Sequence, residues 1–184
     1  VGSEMCIRDR AGATTGASYS SGEIMIRKIL SHDTCAQCRL CCTFVESDKW
    51  EIPLFTGKSE TETAEGFAPV RKIPGTQSCV FDMKFNGDEI IYCPAASDHG
   101  CVLGDKRPFD CKIWPFRVNK LNDMYVITLS PVCPAVKKLP LETLCEFVKA
   151  DDFADMLFNH AAEFPESVKP YEDGYPILAV EKNK

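Results

Sequence analysis

The residues best placed to do chemistry are sulfurs. Cys35-Ala-Gln-Cys38-Arg-Leu-Cys41-Cys42 sets four cysteines within eight positions, and Cys79, Cys93, Cys101, Cys111, Cys133 and Cys145 follow. With Cys6 they make eleven, ten of them after Met25. Thiolates are soft donors, and Cys-x2-Cys-x2-Cys wraps a short loop so that three of them can face one centre. Iron–sulfur clusters are held this way in the bacterial ferredoxin pattern, which continues to a fourth cysteine followed by proline. Here the next cysteine is the neighbour Cys42, so a remote Cys-Pro, either Cys93-Pro94 or Cys133-Pro134, would complete such a site. Zinc more often pairs two close cysteines with two distant ones, which Cys35 and Cys38 would suit, leaving Cys41 or Cys42 for use elsewhere. Both metals fit the spacing.

Adjacent side chains usually diverge. Cys41 and Cys42 are therefore expected either to serve two neighbouring centres or to divide between ligation and the core. A second group follows at Cys101-Val-Leu-Gly-Asp-Lys-Arg107-Pro108-Phe-Asp-Cys111-Lys-Ile-Trp114-Pro115-Phe116. Cys-x2-Cys-x2-Cys-Cys, a further cysteine, and then Cys-x9-Cys with Arg-Pro before its last cysteine resemble the YkgJ-type cysteine-cluster family, described as a zinc- or iron-chelating domain. The likeness runs from Cys35 to Cys133. It implies Cys35, Cys38, Cys41, Cys42, Cys79, Cys101, Cys111 and Cys133 as metal ligands, with Arg107, Pro108 and Pro115 also in the pattern. The segment between Cys79 and Cys101, with its additional Cys93, departs from the family, as does Cys145. What the resemblance implies is chelation, with zinc or an iron–sulfur cluster in a structural or electron-carrying role. Flagellin lysine methylases are longer proteins that share the motif. They keep open an iron–sulfur-dependent enzyme akin to a protein lysine methyltransferase, and a thiol–disulfide protein using Cys41-Cys42 or Cys35 and Cys38 is a further alternative.

Around these sulfurs, Arg107 either offsets thiolate charge or anchors its loop to Asp105 or Asp110. Trp114 and Phe116 suit packing around the site. His99, near Cys101 in sequence, is either a further ligand or simply an exposed loop histidine, and His32 and His160 carry no functional claim. Cys145 falls on an apolar helical stripe, where a buried free thiol acts as a small hydrophobe.

The elements that must position the cysteines can be read in outline. Met5-Cys-Ile-Arg-Asp-Arg10 reads like a translated sequencing adaptor, and Gly22-Glu23 can encode a ribosome-binding sequence just before Met25. Residues 1–24 are therefore expected to be a non-native leader, with residues 25–184 forming one cysteine-cluster domain. Polar residues from Thr56 to Gly66 predict a solvated loop. Asn86-Gly87 between Phe81–Phe85 and Asp88–Tyr92 predicts a β-hairpin that brings Cys79 and Cys93 near its open end. Pro108 predicts a short helix behind it, and Met124–Leu129 a strand. From Leu141 to Phe164, apolar residues recur at Leu141, Leu144, Cys145, Val148, Phe153, Met156, Leu157, His160, Ala161 and Phe164. That helical period slips near Ala150–Asp152, giving one bent helix or two short ones. The class expected is α+β: loop-rich around a cysteine metal cluster, with a β-hairpin and C-terminal helices.

A formal net charge of −6 and the lack of a basic run argue against nucleic-acid or anionic-membrane partners. No apolar stretch approaches a membrane span. So many cysteines without a secretion signal point to the reducing cytoplasm and to metal ions as partners. There is no dinucleotide or phosphate-loop motif, no triad signature, and no three-then-two spacing of radical enzymes that use S-adenosylmethionine.

Overall fold

In a computed structural model, which describes residues 26–87 and 89–181, short helices alternate with small sheets, the α+β class the sequence implies. The expected leader, residues 1–24, lies outside the described residues. The backbone gathers into two units, Leu30–Lys112 and residues 113–181 with 26–29.

The first unit opens with α1, His32–Cys38, whose Ser31 N-cap accepts the Thr34 N–H at 3.2 Å. Arg39 ends it in the left-handed region, at φ 52°, and a 3₁₀ turn over Leu40–Cys42 follows. β1 (Thr43–Phe44) then leads through a 3₁₀ segment to α2, Gly57–Glu65. The solvated loop expected here is thus a helix. Thr61 and Ala64 give it a buried face, and Glu60 reaches back to its start. One Glu60 carboxylate oxygen accepts the Thr56 N–H at 2.8 Å and the Thr56 hydroxyl at 3.0 Å. This works like a capping box displaced by one residue.

β2 (Val70–Lys72) pairs antiparallel with β3 (Cys79–Phe81), and β4 (Ile91–Tyr92) pairs with β1. Among the described residues the hairpin expected at Asn86-Gly87 therefore forms no ladder of its own. Gly87 does take the turn conformation, at φ 65°, but each arm finds a different partner. Phe81 is buried against Phe55, rings 4.8 Å apart, while Ile90 and Tyr92 are 57% and 60% exposed. A small β5–β6 hairpin (Ala96–Ser97 with Gly100–Cys101) and α3 (Phe109–Ile113) complete this part of the chain, the helix lying directly behind Pro108 as expected.

Two carboxylates join α3 to the start of α2. The second Glu60 oxygen accepts the Phe109 N–H at 3.0 Å, and Asp110 accepts the Leu54 N–H at 3.0 Å. Glu60→Ala leaves the N–H groups of Thr56 and Phe109 without their acceptor in a half-buried setting. A loss of about 1–3 kcal/mol is expected in urea unfolding. A loss below about 0.5 kcal/mol would show that water replaces the carboxylate.

In the second unit, β7 (Phe116–Leu121) and β8 (Met124–Leu129) form an antiparallel hairpin, closed by Asn122-Asp123 with Asn122 at φ 53°. The sheet order is β10-β8-β7-β9, where β9 is Lys169–Pro170 and β10 is Ile177–Val180. Buried Asn119 accepts the Thr128 hydroxyl at 2.6 Å and donates to the Pro170 carbonyl at 2.7 Å, tying β7 to β8 and β9. The predicted C-terminal helix is two helices, α4 (Leu141–Lys149) and α5 (Phe153–Glu163). They break where the apolar period slips, at Asp151 and Asp152, with φ 49° and 58°. Phe116, Phe147 and Phe153 pack with ring centroids 4.9–5.4 Å apart. Cys145 is buried on this stripe, but its sulfur is in a disulfide and is not the free thiol expected. No helix among the described residues is long and apolar enough to cross a membrane.

Candidate metal centre

Local chain reversals bring the sulfurs of the first unit together. At Arg39 the N–H bonds back to the Cys35 carbonyl at 3.0 Å, and the Cys42 N–H bonds to the Arg39 carbonyl at 2.9 Å. A left-handed conformation at a non-glycine residue costs about 1–2 kcal/mol. It folds Cys41 and Cys42 back toward Cys35. β4 then carries the chain beside β1, and the Cys93 N–H donates to the Cys42 carbonyl at 2.7 Å. The β5–β6 hairpin opposes Ala96 to Cys101, and α3 supplies Cys111.

Six thiols lie within electrostatic reach of one another as a result. Cys41 interacts with Cys35, Cys42 and Cys111, and Cys111 with Cys42, Cys93 and Cys101. Cys93 and Cys101 also interact with Cys42 and with each other. Arg107 stands beside Cys42 and Cys101, and its Nε donates to the Gly104 carbonyl at 3.0 Å. Arg39, a cation the sequence reading passed over, also faces Cys42 and pairs with Asp98 at 2.8 Å. Cys41 and Cys42 do not diverge, because their side chains are hydrogen-bonded to each other.

The remaining expected ligands lie elsewhere or are left open. Cys38 is exposed at the end of α1. Cys79 is fully buried in an apolar cluster with Phe55, Ala64, Phe81 and Ala95, against which Cys93 and Cys101 also pack, and Thr61, Lys72, Glu65 and Glu60 lie near its thiol. Cys133 is buried in the second unit, its carbonyl accepting the Lys137 N–H. Cys93 departs from the resemblance, yet it sits among the gathered sulfurs. The one sequence cue for it was Cys93-Pro94.

Charge and burial divide the thiols. Burial pushes Cys93 up to about 12, helped by Cys42 and Cys101, and holds Cys111 and Cys101 above the ordinary thiol range. The bond to Cys42, together with burial, raises Cys41. The same bond lowers Cys42 to about 7, with Arg107 and Arg39 contributing. Without metal, then, the group is mostly neutral thiols with one easily ionised member. The folded chain keeps the Cys93 proton that an unfolded thiol releases above its ordinary value of 9.0. This contribution is intact below pH 9 and is lost as pH rises toward 12, by at most about 1.4 kcal/mol per pH unit. The urea midpoint of reduced, metal-free protein should fall as pH rises from 9.0 toward about 12, and Cys93→Ser should flatten that fall. Equal slopes in the two proteins would exclude the thiol as its source.

The donor set is chemically suited to a thiophilic ion: six sulfurs, two neighbouring guanidinium groups and backbone N–H donors on two of the sulfurs. Among the described residues no group of three or more Cys, His, Asp or Glu side chains is placed to hold a metal ion.

No family model matches the chain, and no curated protein or solved structure is similar to it.

Proposed function

We propose that this chain is a metal-chelating cysteine-cluster protein of the YkgJ type. It holds zinc or an iron–sulfur cluster through thiolates of residues 35–111, in a structural or electron-carrying role in the cytoplasm. The observation that supports this best is that Cys35, Cys41, Cys42, Cys93, Cys101 and Cys111 lie within electrostatic reach of one another, with Arg107 near Cys42 and Cys101. A core built only for apolar packing has no use for six sulfurs from four separate segments. Coordinated thiolates carry negative charge, which Arg39 and Arg107 are placed to offset. Zinc would supply a rigid cross-link between segments, and a cluster would supply electron transfer as well.

Purification without oxygen, followed by metal analysis and a visible spectrum, tests this. A brown protein with iron and acid-labile sulfide, or a colourless one with stoichiometric zinc, is the expected result. Protein that holds neither, and takes up neither under reducing conditions, would overturn the proposal. One feature favours a second reading as a thiol–disulfide protein, the hydrogen bond between the Cys41 and Cys42 side chains. Metal-free protein whose Cys41 and Cys42 oxidise and reduce reversibly would decide for it.

A further inference from the structure

The β1–β4 pairing sets two cysteines opposite each other. Thr43 pairs with Tyr92 and Phe44 with Ile91, and one step along the same register Cys42 faces Cys93. The Cys93 N–H donates to the Cys42 carbonyl at 2.7 Å, which makes them a hydrogen-bonded cross-strand pair. The Cys42 N–H turns back to the Arg39 carbonyl, so the ladder ends at this pair.

Residues directly opposite across a ladder share a face, and successive residues of a strand alternate faces. Phe44 is buried, and Cys93 packs against the apolar cluster that Phe44 belongs to. Tyr92, between Ile91 and Cys93, is exposed on the other face. Cys42 and Cys93 thus fall on the inner face together, both as free thiols and neither fully buried. Among the described residues no other two cysteines face each other across a ladder. Cys79 is opposite Phe55 and Lys72, Cys101 is opposite Ala96, and Cys111 lies on α3.

Opposed residues of a hydrogen-bonded antiparallel pair have Cα atoms about 5.5 Å apart, inside the roughly 4.4–6.8 Å that a disulfide spans. Adjacent residues joined by a trans peptide are held at about 3.8 Å, short of that span. Backbone geometry therefore favours Cys93 over the neighbour Cys41 as the partner of Cys42.

We infer that Cys42 and Cys93 form a reversible cross-strand disulfide, made and broken by exchange with a low-molecular-weight disulfide of the glutathione type. One protein thiolate attacks the small disulfide, breaks its S–S bond and releases one small thiol; the second thiolate then displaces the other. Two protein S–H bonds are lost and one S–S bond forms, and the two electrons and two protons leave on the two small thiols. The new bond closes the loop from 42 to 93 and staples a strand pairing only two residues long. It requires no bound metal; on the metal-binding reading it would withdraw two thiols from the chelating group.

The test is the reduced, metal-free full chain held in glutathione buffers from reducing to oxidising, followed by alkylation, digestion and fragmentation of the linked peptides. Cys42 and Cys93 should escape alkylation together, appear in one linked species, and return as free thiols in dithiothreitol. Cys93→Ser should abolish that species, and Cys101→Ser should keep it. A link between Cys41 and Cys42 in its place would overturn the pairing and support the thiol–disulfide reading above. Links from Cys42 or Cys93 to other cysteines instead, or thiols that all stay open to alkylation in the most oxidising buffer, would overturn it as well. Metal uptake by the reduced chain is measured separately, so failure of either leaves the other standing. The wild-type map needs no variant to fold.

Discussion

Replacing Phe153 with alanine should cost about 3–5 kcal/mol, the range for removing a buried aromatic ring. The side chain is fully buried at the start of α5, its ring 5.2 Å from that of Phe116 and 4.9 Å from that of Phe147. Phe116 belongs to β7 and Phe147 to α4, so the one ring ties sheet and both helices into a single aromatic knot. The alanine would leave a cavity between three elements that cannot close together, and its better helix propensity returns only a few tenths of a kcal/mol. Urea unfolding followed by far-ultraviolet circular dichroism would measure the loss. Leu141→Ala, on the same helical stripe but 44% exposed, should stay within about 0.5 kcal/mol. Equal effects at the two positions would mean that the aromatic knot carries no special share of stability.

That contrast shows how far the sequence could be read. The stripe from Leu144 to Ala161 was legible because a helical period reports which side chains face inward, and the slip at Ala150–Asp152 marked a real break between two helices. Leu141 fits the same period but lies at the first position of α4, where there is no preceding turn to pack against. Met124–Leu129 was legible as a strand from its residue types. Its partner β7 was not, because Phe116–Leu121 has lysine, arginine and asparagine among its apolar residues and Arg117 and Asn119 turn out to be buried.

Turn chemistry misled in one place and was missed in another. Asn86-Gly87 makes its turn, but the arms on either side pair with β2 and β1, because tertiary pairing outweighs a local preference. Asn122-Asp123 is a weaker signal, and it closes the longest hairpin in the described residues. The helix at Gly57–Glu65 was hidden for a related reason. Its residues are polar, and its support comes from Glu60 bonding to Thr56 and Phe109, a contact across 49 positions that no local pattern encodes.

For the candidate site, spacing identified the right residue type and most of the segments. What it could not give was which sulfurs face one another, since that depends on the left-handed turn at Arg39 and on the β1–β4 pairing. Cys93 enters the group through that pairing. β3 carries Cys79 into an apolar cluster against which Cys93 and Cys101 pack.

On the metal-binding reading, stripping the ion should loosen residues 30–112 far more than residues 113–181. The first unit has two small apolar clusters, one around Phe55, Phe81 and Cys79 and the other around Phe44, Ile52, Leu54 and Val80. Its β1–β4 and β5–β6 pairings are two residues long, and α1 and α3 are seven and five residues. Elements that short do not stand on their own in water. Structural zinc contributes about 10–16 kcal/mol of binding free energy in small domains, and where the site exists only in the folded chain that energy stabilises the fold. The second unit has instead a four-stranded sheet, two longer helices and the aromatic knot around Phe153. A strong chelator under reducing conditions should therefore speed amide hydrogen exchange in α1, β1, β4 and α3 roughly a hundredfold or more, equivalent to about 3 kcal/mol. β7, β8 and α5 should keep their protection, and one equivalent of zinc should restore the rest. Release should be easier at lower pH, because Cys93 and Cys111 take up protons readily once the ion leaves. Exchange that does not change in residues 30–112 on chelation, in protein shown to have lost its metal, would mean that packing alone holds the sulfurs together. The ion would then bind a site that is already built, and its purpose would lie in chemistry and not in folding.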